Sequence, residues 1–274
     1  MSLLVRTVSS PASAPARAVR DLAAASRTVE RLPFTIRRVE TEADLLKAVR
    51  VRHAAYARHV PEFARTLAEP EAADYDDDTI VLLAESKLDG SPLGSTRIRT
   101  NLYRPLGVEA SIALPHWLQG RRLVEATRLG IGEGRVGHTV KLALVKACFL
   151  YCQDNAIDYS VATGRPPVDR QYEQLLFTDV FPEQGLVPLR HVGNIPHRVM
   201  AFEIASFEQR YAEAHHPLLD FFFHTHHPDI SIGPVVPPPQ VLALNAAAAA
   251  RPAVEWAKSR AISQALLGRE YAFA

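Results

Sequence analysis

Residues 123–154, LVEATRLGIGEGRVGHTVKLALVKACFLYCQD, decide how this chain folds. The first nine form an apolar run interrupted by Glu125 and Arg128, the pattern of an interior strand. Gly130, Gly132, Gly134 and Gly137 break the run around Glu133 and Arg135. A long helix is then expected over 138–154. Strand, glycine-broken turn and helix N-terminus in that order expose backbone N–H groups at the positive end of a helix dipole. With Arg135 and Gly137 beside them, they suit an anion or a polar amide arm.

Working outward, the pattern extends on both sides. PFTIRRV (33–39) alternates as a half-buried strand. Thr41 and Asp44 form a capping pair that opens a helix with Leu45, Val49 and Tyr56 on one stripe. Pro61 and Pro70 bracket a loop that leads into DYDDD (74–78). TIVLLAES (79–86) and LGSTRIRT (93–100) read as strands joined by the turn DGSP (89–92). Beyond the long helix, DYSVA (158–162) reads as a strand and 168–177 as a short helix. GLVPLRHV (185–192) and HRVMAFEI (197–204) read as the last two strands. The order β-α-β-β-β-α-β-α-β-β mixes hairpins with crossovers and predicts an α+β fold rather than a doubly wound parallel sheet. The expected organisation is an extension over 1–33 with one helix across 15–30, a domain over 34–232, and an extension over 233–274. That last segment holds PVVPPP, five alanines and a helix beginning at Pro252.

Of the 274 residues 47% are hydrophobic, enough for a sizeable core, and the net charge of +1 argues against general nucleic-acid binding. Two cysteines four apart, Cys148 and Cys152, match neither a redox pair nor half a zinc site, and read as buried apolar residues in a reducing compartment. No apolar run approaches a membrane span, and MSLLVR is too short for a signal-peptide core, so the expected location is cytoplasmic.

The element order and the glycine-broken turn resemble the GNAT superfamily, whose mixed twisted sheet is flanked by helices in three layers. In that superfamily the turn and helix hold the pyrophosphate or pantetheine arm of an acyl donor. A narrower set of residues looks like the branch of acyl-homoserine-lactone synthases and N-acyl amino acid synthases. VRHAAY supplies Arg52 and Tyr56, EAADYDDD supplies Glu71, Asp74, Tyr75 and Asp76, GSTRIR supplies Arg97, and VEATRLGI supplies Glu125 and Arg128. Ala73 stands where the lactone synthases carry an acid, and no tryptophan follows the first helix. These departures favour a different amine acceptor, as in the N-acyl amino acid synthases.

Acyl transfer to an amine requires a proton acceptor, an orienting site and a polarised carbonyl. Glu125 is the candidate base, or a ligand of the acceptor's ammonium group; the structural alternative is an ion pair with Arg97 or Arg128. Arg97 is the second catalytic candidate. It shares a sheet face with Arg99, so either could hold an acceptor carboxylate, unless both are surface arginines. On a regular strand Arg128 points away from Glu125, whereas a bulge would bring the two together. The resemblance implies that the acidic run, Asp76 above all, pairs with Arg52 and Arg97 in an active-site wall. Arg52, Tyr56, Asp74, Asp76, Arg99 and Arg128 are the substrate-side candidates, with Arg135 and Gly137 on the donor side.

His215, His216, His224, His226 and His227 lack a completing ligand pattern for zinc and read as flanking a Phe221–Phe223 patch of the core, or the wall of an acyl tunnel. Arg121, Arg122, Arg135, Lys141 and Lys146 form a candidate docking patch for an acidic acyl carrier protein. The expected activity is transfer of a medium- or long-chain acyl group from acyl-ACP or acyl-CoA to a small amine, an amino acid by resemblance. Neither a metal nor a permanently bound cofactor is expected. The rivals are a short-chain acyl-CoA N-acetyltransferase and a non-catalytic acyl-thioester-binding module.

Overall fold

The computed structural model describes residues 28–233 except 77, 103 and 193. Its elements are β1 (Thr28–Val29), β2 (Phe34–Arg38), α1 (Glu42–His59), β3 (Thr79–Ser86), β4 (Pro92–Thr100), α2 (Gly107–Ser111), β5 (Leu123–Ile131) and α3 (Gly137–Asp154). They continue with β6 (Tyr159–Gly164), α4 (Val168–Gln174), β7 (Thr178–Asp179), β8 (Val187–Leu189), β9 (Ile195–Glu203), α5 (Phe207–Glu213), β10 (Thr225–His226) and β11 (Ile230–Ser231).

Local signals start these elements where the residues call for them. Thr41 caps α1 by accepting the Asp44 N–H at 3.2 Å. Gly90, at φ +69°, turns the chain between β3 and β4, a conformation that disfavours a Cβ. The main sheet runs β11-β2-β3-β4-β5-β6-β9-β7, with β8 also on β9. The β11–β2 and β5–β6 pairs are parallel and the others antiparallel, so the sheet is mixed and the fold is α+β.

Helices cover both faces. Leu45, Ala48 and Val49 of α1 pack on Val81 and Leu83, while Val140, Ala143, Leu144 and Ala147 of α3 pack on Ile80, Leu82, Ile98 and Val124. The alternation along β3 separates these two sets, giving the expected three layers. Phe149, Phe202, Phe207, Tyr211, Phe222 and Phe223 form a further aromatic cluster.

Some boundaries differ from expectation. Of the strand expected at 185–192 only Val187–Leu189 forms, and Arg190–Val192 is a helical turn. The helix expected to reach Phe177 ends at Gln174, and Leu176 takes φ +62°. The core begins before residue 34: Leu32 is buried, its N–H donates to Asp229 at 2.9 Å, and β1 pairs with β10. The helix expected over 15–30 lies outside the described residues save its last three, where Thr28–Val29 is a strand. The segment after Gly233, with its helix at Pro252, lies outside them altogether.

Candidate active site

The site begins with an irregularity in β5. Ser95 pairs with Gly130 but Arg97 with Thr127, so β5 carries one extra residue. Arg128 sits in this bulge at φ +56°, a left-handed conformation costly for an arginine. The bulge puts Arg128 with Arg97 around a common partner: Arg128 Nε and Nη2 donate to Glu71 at 2.7 and 2.8 Å, and Arg97 Nη1 donates to it at 3.1 Å. Glycine at 130 lets α1 approach; a Cβ there would lie 2.7 Å from the Arg52 Cα.

A second irregularity lies on the other side of β5. It pairs with β6 at Leu123–Tyr159, Val124–Ser160 and Glu125–Val161, and no further, although β5 continues to Ile131 and β6 to Gly164. Each strand meanwhile stays paired with its other neighbour to its end. The sheet therefore splits into a wedge with Glu125 at its apex. Ala126 and Leu129 are exposed along it in an otherwise interior strand.

The wall beside the wedge is ionic. Arg52 is 2% exposed and grips Asp74 bidentately, Nη1 to Oδ1 at 2.9 Å and Nη2 to Oδ2 at 2.7 Å. Asp74 also pairs with Arg97 at 3.3 Å and accepts the Glu71 N–H at 2.8 Å. Burial works to raise the Glu71 carboxyl, but Arg128, Arg97 and Arg52 outweigh it and hold it at about 2. Arg128 also lies over the Phe63 ring, 5.1 Å from its centroid, and Phe63 packs against Tyr56. One expectation is corrected here. Asp74, not Asp76, pairs with Arg52 and Arg97, because Asp74 turns inward at the end of a short 3₁₀ turn (Ala72–Tyr75). Asp76 lies outside it, 2.7 Å from Arg104 and 3.8 Å from Arg99. Arg52 and Asp74 are thereby interior to the wall, while Arg97 and Arg99 do share one face.

Glu125 is 6% exposed and stands directly across from Arg99 on β4. Its one hydrogen bond among those described is from Thr163 Oγ1, at 3.5 Å. Burial raises its pKa, opposed by the charges of Arg99, Arg97 and Arg128. Tyr172, on α4, was not singled out in the sequence. Its ring lies against Gly164, the last residue of β6, where a Cβ would meet Cε2 at 3.3 Å. Burial and the neighbouring Glu125 and Tyr56 push its phenol up to about 12. It reaches this place from α4, which follows β6 after a short turn, and no spacing in the sequence announces that.

Other candidates fall elsewhere. Arg135 is exposed and Gly137 half-buried at the start of α3, whose N-terminus has no side-chain cap. The basic patch is not continuous. Lys146 is 3% exposed and donates to Phe221 O, Thr225 O and His227 Nδ1, while Arg121 and Arg122 precede β5 at the end away from the turn. Cys148 and Cys152 are buried enough to hold both thiols protonated, Cys148 at about 12. Phe222 and Phe223 belong to the core rather than to the cleft. Among the described residues no group of His, Cys, Asp and Glu could hold a metal ion, and no helix is long and apolar enough to cross a membrane.

Known structures share this architecture. FeeM, an N-acyl amino acid synthase from uncultured soil microbes, superposes at a TM-score of 0.50 with 18% identity, over 66% of this chain and 96% of that one. The chain has the GNAT fold. BjaI, a CoA-dependent acyl-homoserine lactone synthase with SAM and isopentyl-CoA, gives a TM-score of 0.48 with 16% identity, over 78% of this chain and 99% of that one. No protein-family model and no curated protein sequence matches the chain. In this GNAT fold the wedge lies between the fifth and sixth strands, and α3 follows directly from its rim.

Proposed function

We propose that this chain is an N-acyltransferase that moves an acyl group from a pantetheine thioester to the amine of a small acceptor, and that Glu125 is its proton acceptor. One observation carries the reading: a buried carboxylate with raised pKa at the apex of a split between two parallel strands. The unpaired edges of β5 and β6 offer backbone donors and acceptors to an amide-bearing arm, as an added strand would use them. The start of α3 and Arg135 receive the donor's anionic end.

The acceptor arrives as an ammonium ion and gives one proton to the Glu125 carboxylate. The free amine attacks the thioester carbonyl, forming the C–N bond and an oxyanion. The intermediate loses a second amine proton to water and collapses, breaking the C–S bond, and Glu125 returns its proton to solvent. Tyr172 protonates the departing thiolate and is reprotonated from water. One proton is released in total, as amide formation from an ammonium ion requires. A carboxylate-bearing acceptor such as an amino acid suits Arg99, whose ion pairs among the described residues are 3.8 Å contacts to Asp76 and Asp78. This agrees with the name of the superposed N-acyl amino acid synthase.

The donor is a medium- or long-chain acyl-ACP or acyl-CoA. A short-chain acetyltransferase is the second reading, favoured by the burial of Phe222 and Phe223 away from the cleft. The test is turnover of acetyl-, octanoyl- and palmitoyl-CoA, and of the corresponding acyl-ACPs, against a panel of amino acids and polyamines, followed by mass spectrometry. Formation of N-acyl amino acids from the longer donors upholds the first reading. Acetylation alone favours the second, and donor binding without any product defeats both.

A further inference from the structure

We propose that His191 is an acceptor-binding residue of this cleft: its Nε2 accepts a hydrogen bond from the incoming ammonium group, and Ser111 holds the ring in the tautomer that leaves Nε2 unprotonated. The inference rests on the acyl-transfer reading above and adds to it a residue that the motif resemblance does not contain.

The tautomer follows from proton counting. Ser111, the last residue of α2, has its Oγ 2.7 Å from Gly107 O, 3.2 Å from the His191 backbone N and 2.8 Å from His191 Nδ1. A hydroxyl has one proton and two lone pairs. If the proton pointed at Nδ1, Oγ and Gly107 O would meet lone pair to lone pair at 2.7 Å. The proton therefore goes to Gly107 O, both lone pairs of Oγ accept, and Nδ1 carries the ring proton. In a neutral imidazole that leaves Nε2 as the acceptor. The ring is also clamped: a Cβ at Gly107 would lie 2.7 Å from the His191 Cγ, so only glycine leaves room for it.

The residue as a whole is exposed, but desolvation of the ring, with smaller contributions from His197, Arg99 and Arg128 and against a hydrogen bond to the Gly107 backbone, holds it at about 4. Above that pH it is neutral, so near neutrality it presents a lone pair and not a charge. The two guanidiniums acting on it flank Glu125, Arg99 from across the strand and Arg128 from the bulge. Packing puts His191 on the same part of the sheet: Leu106 and Val108, on either side of Gly107, and Leu189, just before the turn that carries His191, share one core cluster with Leu123 and with Val161, the β6 partner of Glu125. An acceptor with its carboxylate toward Arg99 can share its ammonium hydrogens between Glu125 and His191. A hydroxyl in place of the ammonium has one hydrogen and cannot satisfy both, which would make the site selective for amines.

The experiment is long-range ¹H–¹⁵N NMR of the full chain labelled at histidine, with His191 assigned by its loss in His191→Gln. At pH 7 the wild type should give the Nδ1–H pattern, and Ser111→Ala should shift it toward Nε2–H. Adding amino acids one at a time should move the Nε2 resonance for those that bind. None of this needs turnover, so it stands apart from any failure of the acyl-transfer assay. In the octanoyl-CoA assay, His191→Asn keeps a donor for Ser111 but no acceptor at the Nε2 position, and should raise the acceptor KM about ten- to a hundredfold with the donor KM unchanged. His191→Gln, whose amide reaches that position, should recover most of the loss. An Nε2–H tautomer in the wild type, an unmoved Nε2 resonance with every amino acid, or a wild-type acceptor KM in His191→Asn would overturn the proposal.

Discussion

At Glu125 burial and three guanidiniums pull the carboxyl in opposite directions, and burial is the stronger. A carboxyl raised in the folded state works against folding once pH exceeds its unfolded value, because the fold must then hold a buried charge. Glu125→Gln removes that charge and keeps the shape. Its thermal midpoint at pH 7 should equal or exceed the wild type's while kcat falls by about 10²- to 10⁴-fold, with partial recovery at high pH as more amine arrives deprotonated. Unchanged kcat together with lower stability would leave Glu125 a structural ion-pair residue. Tyr172→Phe should lower kcat about tenfold or more, leave both KM values near wild type, and spare donors whose leaving thiol is more acidic. Equal losses with ordinary and acidic thiols would remove Tyr172 as the acid. The chemistry of Glu125 was legible because a lone acid in an apolar strand is conspicuous. Tyr172 was not, since a tyrosine in a short helix carries no mark of what it faces.

The cleft wall is an element-scale device in which Arg52 of α1, Arg97 of β4 and Arg128 of β5 converge on Glu71 and Asp74 from one 3₁₀ turn. Asp74→Asn would take from the buried Arg52 its bidentate partner and leave Arg52 and Arg97 to share Glu71 with Arg128, and should cost about 3–5 kcal/mol in denaturant unfolding. A loss below 1 kcal/mol would show that water enters the wall. Glu71 gives this wall a pH dependence. Its folded pKa of about 2 lies below its unfolded value, so its contribution is complete above about 4.5 and disappears as pH falls toward 2. The fall in thermal midpoint across that window should therefore be shallower in Glu71→Gln; parallel curves would mean that Glu71 is not held down. The sequence placed the acids and arginines in the right order, but it could not say which acid turns inward. That choice depends on one turn and on a bulge that only the β4 register reveals.

Across the whole molecule, Lys146 ties α3 to the segment carrying β10 through Phe221 O and Thr225 O, and β10 in turn pairs with β1. A chain trimmed to residues 28–233 should keep this closure and unfold cooperatively within a few degrees of the full chain, whereas trimming to 34–233 also removes Leu32 and β1 and should unfold lower. Equal midpoints for the two would place β1 and Leu32 outside the cooperative unit. What the sequence determined by itself was everything written in local periodicity and turn chemistry: β2 to β5, the capped α1, the long α3 and the α+β order. These patterns survive because each is decided within a few residues by alternation, helical spacing or a glycine. Only the tertiary structure decided the two-residue strands β1, β7, β10 and β11, whose hydrogen bonds exist only once a partner strand is present. It also decided the split between β5 and β6, the face of Arg128, and the approach of Tyr172 and His191. Each of these depends on where a distant segment comes to rest, and no short-range pattern in the chain encodes that distance.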